Sequence, residues 1–327
     1  MLRSFAFTKA GLQADCGTKE VVKYLKTKSN VIWIDIEEPS ETEIDFLIDE
    51  FEFHPLSIED AIFPQDHPKV EEFDEYVFMI LYAISYSGTV NPHQLNIFFG
   101  DNYVITVHDD KLNAINRFAN KITRMAETNN GKNKNNPFAK GADMVLHSII
   151  DNLVDEYFPS IDRMEDKIAQ LEDRVLEEKE SSIMEDLLSE KRNILVMRKF
   201  IYLEKQALSR IMRAEGEYIK EGTRVYFRDI FDHLVSMQET LEILREVIPS
   251  LIESYLSMAS KKLNQLIHRL TILATIAIPM TIITSYYGMN LKLPEFEWGI
   301  WGYLFMLVIL VGSSLLTFFV LKKNKWL

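Results

Sequence analysis

Asn264, Ile267, Thr271, Ala274, Ile278, Thr281 and Ser285 recur at alternating spacings of three and four residues, so they share one face of a helix. This stripe is smaller or more polar than its flanks, Leu266, Leu270, Leu273, Ile276 and Ile282. In an apolar medium such a stripe serves either close helix packing or the wall of a water-filled lumen. At its end stands Tyr287-Gly288-Met289-Asn290, a helix breaker and a carboxamide at a point where backbone carbonyls come free. Covalent chemistry finds no matching motif: the chain has no glycine-rich phosphate loop, no GxSxG and no HExxH. The histidines, among them His54, His67, His147 and His233, are scattered, with none paired at metal-ligand spacing, which argues against a zinc enzyme. His268 beside Arg269 reads as an interfacial residue.

The elements that must position the stripe are apolar. No charge interrupts LTILATIAIPMTIITSYYGMNL between Arg269 and Lys292, or WGIWGYLFMLVILVGSSLLTFFVL between Glu297 and Lys322. Each supplies the roughly 20 apolar residues a helix needs to cross hydrocarbon. Two in tandem across a short polar loop read as a membrane hairpin. Irregular backbone at that depth is tolerated where it lines a cavity, which favours the lumen over packing alone. Lys261, Lys262 and Arg269 precede the first span and Lys322, Lys323 and Lys325 follow the second, against Lys292, Glu295 and Glu297 in the loop. The positive-inside rule then puts both termini in the cytoplasm, with Trp298, Trp301 and Trp326 as interfacial anchors.

The remaining part reads as a cytosolic body. A net charge of −13 argues against nucleic acid and for cations as partners. A single cysteine, Cys16, excludes an internal disulfide framework, and the opening MLRSFAFTKAGLQ lacks the apolar core of a secretory signal. VIWIDI (31–36) reads as a strand and 40–51 as an amphipathic helix capped by Ser40 with Glu43 three residues on. Segments 70–87 and 93–110 read as strands, with a hairpin signal at Gly-Asp-Asn (100–102), and 112–127 as helix. The polar run 129–137 reads as a linker. Beyond it, 138–178, 183–216 and 226–287 read as three long helices, the first two forming a charged, solvated antiparallel hairpin. The third spans roughly 90 Å, and with only one companion span in its own chain it calls for partner chains.

Tyr287-Gly288-Met289-Asn290 closing the first of two C-terminal spans resembles the signature of the CorA family of magnesium transporters. RLTILATIAIPMT (269–281), YFRDIFDH (226–233), HPLSIEDAIFPQDHPKVEEFDEYVF (54–78) and the ending KKNKWL extend the resemblance over most of the chain. The resemblance implies a funnel-shaped homopentamer whose long helices line a central pore. Tyr287, Gly288, Met289 and Asn290 would then form the selectivity filter, five Asn290 carboxamides and Gly288 carbonyls ringing the outer mouth. Magnesium dehydrates reluctantly, and neutral acceptors hold its waters without stripping them. Thr281 and Asn264 match positions facing the hydrated ion, Ile267 and Leu270 a hydrophobic constriction, and Glu253 an acidic ring at the cytosolic mouth. Ser285 stands where glycine also occurs and Ile267 where methionine does; Pro249 is unusual for the stalk and suggests a local kink.

The same resemblance implies a regulatory magnesium site shared between subunits by Asp60 and Asp229, with Glu59 beside the first. Without it, both aspartates read simply as helix caps. High internal magnesium would favour the closed, symmetric state. The expected architecture is therefore an α+β cytosolic domain (an αβα sandwich), long stalk helices and two transmembrane helices. Its divisions are 1–137, the α/β domain; 138–224, the charged hairpin; 225–287, the stalk and first span; 288–299, the outer loop; 300–321, the second span; and 322–327, a basic tail. The expected function is magnesium influx across the cell membrane, gated by internal magnesium, with cobalt and nickel passing as similar hydrated ions. A zinc or broader divalent transporter on the same scaffold is the nearest alternative, and the intact Met289 favours magnesium over it. A membrane-tethered sensor is the alternative from another class, and the polar stripe speaks against a mere anchor.

Overall fold

The β-branched and aromatic runs of the N-terminal region pair into a seven-stranded mixed sheet in the order β2-β1-β3-β7-β6-β5-β4. The strands are β1 (Leu2–Thr8), β2 (Gly11–Ala14), β3 (Val31–Glu37), β4 (Lys69–Glu72), β5 (Tyr76–Tyr86), β6 (Val90–Gly100) and β7 (Tyr103–His108). Only β3 and β7 pair in parallel; every other neighbour is antiparallel. The Gly-Asp-Asn signal is the β6–β7 turn, with Phe99 opposite Val104. At Gly100 a Cβ would come within 2.4 Å of the Tyr103 ring, so a larger residue there would displace that ring.

Residues of the computed structural model are described for 1–128, 136–177, 182–213, 219–290, 294–324 and 326. Outside them lie 129–135 of the expected linker, Glu178 and Glu180 of the charged hairpin, 214–216 of the second long helix, and Lys292 and Lys325 of the orientation argument.

Short helices precede and cross the sheet: α1 (Thr18–Leu25), α2 (Glu41–Phe51), α3 (Pro55–Ile62) and α4 (Asn113–Glu127). Glu43 reaches back to the Ser40 N–H at 2.9 Å, so the expected start of α2 is the observed one. Trp33 on one sheet face meets Phe118 of α4 with ring centroids 4.9 Å apart. On the other face Phe53, which follows α2, stacks on Phe98 at 4.2 Å. The sheet is thus covered on both sides, the αβα layering expected from sequence.

The long helices are α5 (Ala142–Asp155), α6 (Tyr157–Glu177), α7 (Ile183–Arg213), α8 (Glu221–Tyr287) and α9 (Ile300–Lys323). The single helix expected over 138–178 is two, broken at Glu156. Pro159 favours the break: it has no N–H for the Asp155 carbonyl and its ring crowds that group, and it stands in the first turn of α6. The third long helix begins at Glu221 and stays helical through Pro249 and Pro279.

The chain forms two units, Met1–Ile252 and Glu253–Leu327. In the first, α8 buries Phe227, Ile230, Leu234, Met237, Leu241, Leu244, Ile248 and Leu251, an unbroken three–four repeat. Arg198 of α7 pairs with Glu242, and Lys205 with Gln238, along that seam. Arg174 meets Asp186 at 2.7 Å across the charged α6–α7 hairpin, a surface pair of the weak kind expected. In the second unit, α8 from Glu253 onward and α9 are each long and apolar enough to cross a membrane.

Candidate functional site

Every member of the stripe, from Asn264 through Ile267, Thr271, Ala274, Ile278 and Thr281 to Ser285, is exposed on the single chain. Leu270, assigned to the constriction with Ile267, is exposed as well. Ile272, Ile276, Pro279 and Ile283 are partly covered instead. At 3.6 residues per turn these lie about 150° round the helix from the stripe. The stripe itself stays open. Glu253 stands one three–four–four interval before Asn264, in the same phase, and is exposed.

The stripe's hydroxyls have settled geometry. Thr271 donates to the Ile267 carbonyl at 2.8 Å and Thr281 to that of Ala277 at 3.0 Å. Each hydroxyl proton is thereby used within the helix, and each oxygen keeps lone pairs that accept from water. An oxygen that accepts but has already given away its proton suits the hydration shell of a cation, whose waters point protons outward. At the helix end the Gly288 N–H bonds the Thr284 carbonyl at 2.9 Å and the Met289 N–H that of Tyr286 at 3.3 Å. The helix ends at Tyr287, and Gly288, Met289 and Asn290 follow it, exposed. At the opposite end of the hairpin His268 Nε2 lies 2.8 Å from the Trp326 carbonyl.

The acids of the first unit fall in two places. Glu59 and Asp60 sit near the end of α3, a short helix started by Pro55 at its first position and by His54, whose Nδ1 accepts the Leu56 N–H at 3.2 Å. Asp60 pairs with Lys69, which also reaches Glu71 at 3.1 Å. Burial alone would lower the Lys69 ammonium, but its hydrogen bonds to Asp60 and Glu71 prevail and hold its pKa above the usual value. Glu59 is exposed. Asp229 is exposed on α8, and among the described residues no hydrogen bond or ion pair joins it to Asp60. Within one chain the structure does not bring this pair together.

What it does assemble near Asp229 is a cluster that the sequence reading passed over. Ligand atoms of Asp151 and Asp155 on α5 and of His233 on α8 all lie within 4.8 Å of one another. Burial, with Asp155 and Asp229 as like charges nearby, pushes the Asp151 carboxyl up. Burial pushes the His147 imidazole down, against the attraction of Asp151 and Asp229. Nδ1 of His147 and of His233 are buried with no hydrogen-bond partner. Crowded carboxylates beside the His147 and His233 rings form a donor set suited to a divalent cation. The histidines are therefore not all isolated, as their sequence spacing suggested. The readable signal was the i,i+4 spacing of Asp151 with Asp155 and of Asp229 with His233, each pair on one helix face.

Comparison with known proteins follows the same lines. Residues 28–323 match the family described as CorA-like Mg2+ transporter protein. The chain is 33% identical over 313 residues to the cobalt/magnesium transport protein CorA of Thermotoga maritima, covering 94% of this chain and 87% of that protein. It is 26% identical over 280 residues to the zinc transport protein ZntB of Pectobacterium carotovorum, covering 84% and 81%. The complete structure of the CorA magnesium transporter from Methanocaldococcus jannaschii superposes with a TM-score of 0.84 at 21% identity, covering 100% of this chain and 99% of that one.

Proposed function

This chain belongs to the CorA family of divalent cation transporters, and from that premise we propose that it forms a homopentameric magnesium channel admitting magnesium into the cell. The observation that carries this reading is the open polar stripe on α8, ending at Tyr287-Gly288-Met289-Asn290. Five such helices would enclose a pore lined by Asn264, Thr271, Ala274, Ile278, Thr281 and Ser285. Ile267 and Leu270 would form its dewetting constriction, Glu253 its cytosolic acidic ring and Asn290 its outer mouth. The two spans would cross the cell membrane with both termini cytoplasmic, the basic residues Lys261, Lys262, Arg269, Lys322 and Lys323 supporting that orientation.

Internal magnesium would regulate the channel at the cytosolic acids. Asp229, with Asp151, Asp155 and His233 around it, would hold a cation inside each subunit's surface, and Glu59 and Asp60 of a neighbouring subunit would complete an intersubunit site. Binding there would require Asp60 to exchange Lys69 for the cation. Magnesium and zinc, the second reading resting on the likeness to ZntB, are separated by the ion supplied.

The test is uptake into proteoliposomes containing an ion-sensitive dye, for wild type and Asn290→Ala. Potential-driven magnesium uptake that disappears in Asn290→Ala is the expected result. Zinc uptake without magnesium uptake would replace the ion, and no uptake of either by folded wild type with internal magnesium chelated would remove the channel reading.

A further inference from the structure

Glu204 is a carboxylic acid at the centre of the α7 surface that faces the sheet, 3% exposed and with no cation beside it among the described residues. Its place follows from the sheet edge. The last β4–β5 partners are Lys69 and Ile80, so at Tyr82 the outer edge of β5 has no strand beside it. Glu204 Oε1 accepts the Tyr82 N–H at 2.8 Å, and the Tyr157 hydroxyl lies 2.6 Å from Glu204 Oε2 and also bonds the Tyr82 carbonyl. Both backbone groups of Tyr82 are thus served by side chains of α6 and α7.

Counting protons decides the state of this triangle. Tyr157 has one hydroxyl proton and two oxygens to serve. If Glu204 is ionised, one of the two contacts has no proton in it and a charge stays buried without a partner. If Glu204 is protonated, Oε2–H donates to Tyr157, the Tyr157 hydroxyl donates to the Tyr82 carbonyl, and every contact is a hydrogen bond with no net charge. We propose that Glu204 is a neutral acid in the folded protein at neutral pH, and that its ionisation on raising the pH breaks one of the two Tyr157 contacts and leaves an unpaired charge at the edge of β5.

The surroundings agree. The space beside the carboxyl is about 10 Å³, at the lower limit for one water, and its walls are Leu81 of β5, Ile150 and Leu153 of α5, Leu208 of α7 and Leu234 of α8. The titratable groups facing Glu204 are Tyr82 and Tyr157, with Glu156 near the latter and Asp66 near the former, and none is a cation. Lys205, next to it on α7, points to Gln238. Burial, opposed by the Tyr157 and Tyr82 hydrogen bonds, pushes the Glu204 carboxyl up to about 8.

Glu204→Gln reproduces the neutral acid: its amide oxygen accepts from Tyr82 and its NH2 donates to Tyr157. The test compares the full-length wild type with this variant by infrared spectroscopy and by thermal unfolding across pH. The expected difference spectrum at neutral pH contains a protonated-carboxyl carbonyl band in the wild type that the variant lacks and that disappears as pH rises through about 8. Because the folded value lies above the ordinary one of 4.5, the wild type should lose stability relative to the variant from about pH 4.5 up to about 8, and level off beyond. A neutral-pH difference spectrum without that band, or unfolding curves that fall in parallel, would overturn the proposal. Should Glu204→Gln not fold, Tyr157→Phe serves in its place: loss of the hydroxyl must shift the same carbonyl band, and an unmoved wild-type spectrum overturns it equally.

Discussion

Asp35 is wholly buried and is made tolerable by what surrounds it: Arg3 Nε at 3.1 Å, the Thr106 hydroxyl at 2.6 Å and His108 Nε2 at 3.2 Å. Burial raises its carboxyl, yet the His108, Thr106 and Arg3 contacts prevail and hold it below the usual range, while the same pairing holds His108 above its own. The stabilisation from Asp35 is present above its ordinary pKa of 3.8 and is lost as pH falls through the depressed value. That from His108 is present below 6.5 and is lost as pH rises through the raised value. Asp35→Ala leaves Arg3 and His108 without their partner and should cost about 3–5 kcal/mol in denaturant unfolding. An unchanged midpoint would show that the network contributes nothing net. Also at this scale, Asp151→Asn should reduce the rise in melting temperature that magnesium produces, since it removes one carboxylate donor and the repulsion a cation relieves. An equal rise in wild type and variant would place the stabilising ion elsewhere.

Among the elements, α8 shows how a single helix divides its work. Its first half buries a three–four repeat against the helices of its own unit, whereas its second half exposes one. Leu241, fully buried in the middle of the repeat, tests the first half: Leu241→Ala should cost about 2–5 kcal/mol, read as a lower unfolding midpoint. A loss below the cost of a surface change would mean the seam is loosely packed. β3, the Ser40 start of α2 and the β6–β7 turn were legible because each depends on residues a few positions apart. β1, β2, α1 and α3 were not singled out. α3 is eight residues long, too short for a periodic signal, and is held by the Ser57 and Tyr76 hydroxyls, 2.8 Å apart.

On the scale of the whole chain, the dominant fact is uncovered apolar surface on α8 and α9: Leu263, Leu266, Leu273, Ile282 and Leu316 are all more than half exposed. Lipid satisfies the leucines and isoleucines, but lipid contact is costly for the Asn264 and Thr281 face, which argues for self-association around it. The purified chain in mild detergent should therefore have a protein mass of five chains by light scattering. A monomeric mass for transport-competent protein would contradict the shared pore.

The sequence by itself determined the features that depend on near neighbours: two apolar spans, a stripe at helical spacing, a breaker with a carboxamide at its end, and the strands and caps of the α/β region. Periodicity along one element needs no knowledge of any other. Only the tertiary structure decided which acids are buried, paired or clustered. Asp35 meets His108, Tyr82 meets Glu204, and Asp151 meets His233 across separations that no spacing rule reaches. Such groups acquire their protonation from desolvation and from neighbours that folding alone supplies.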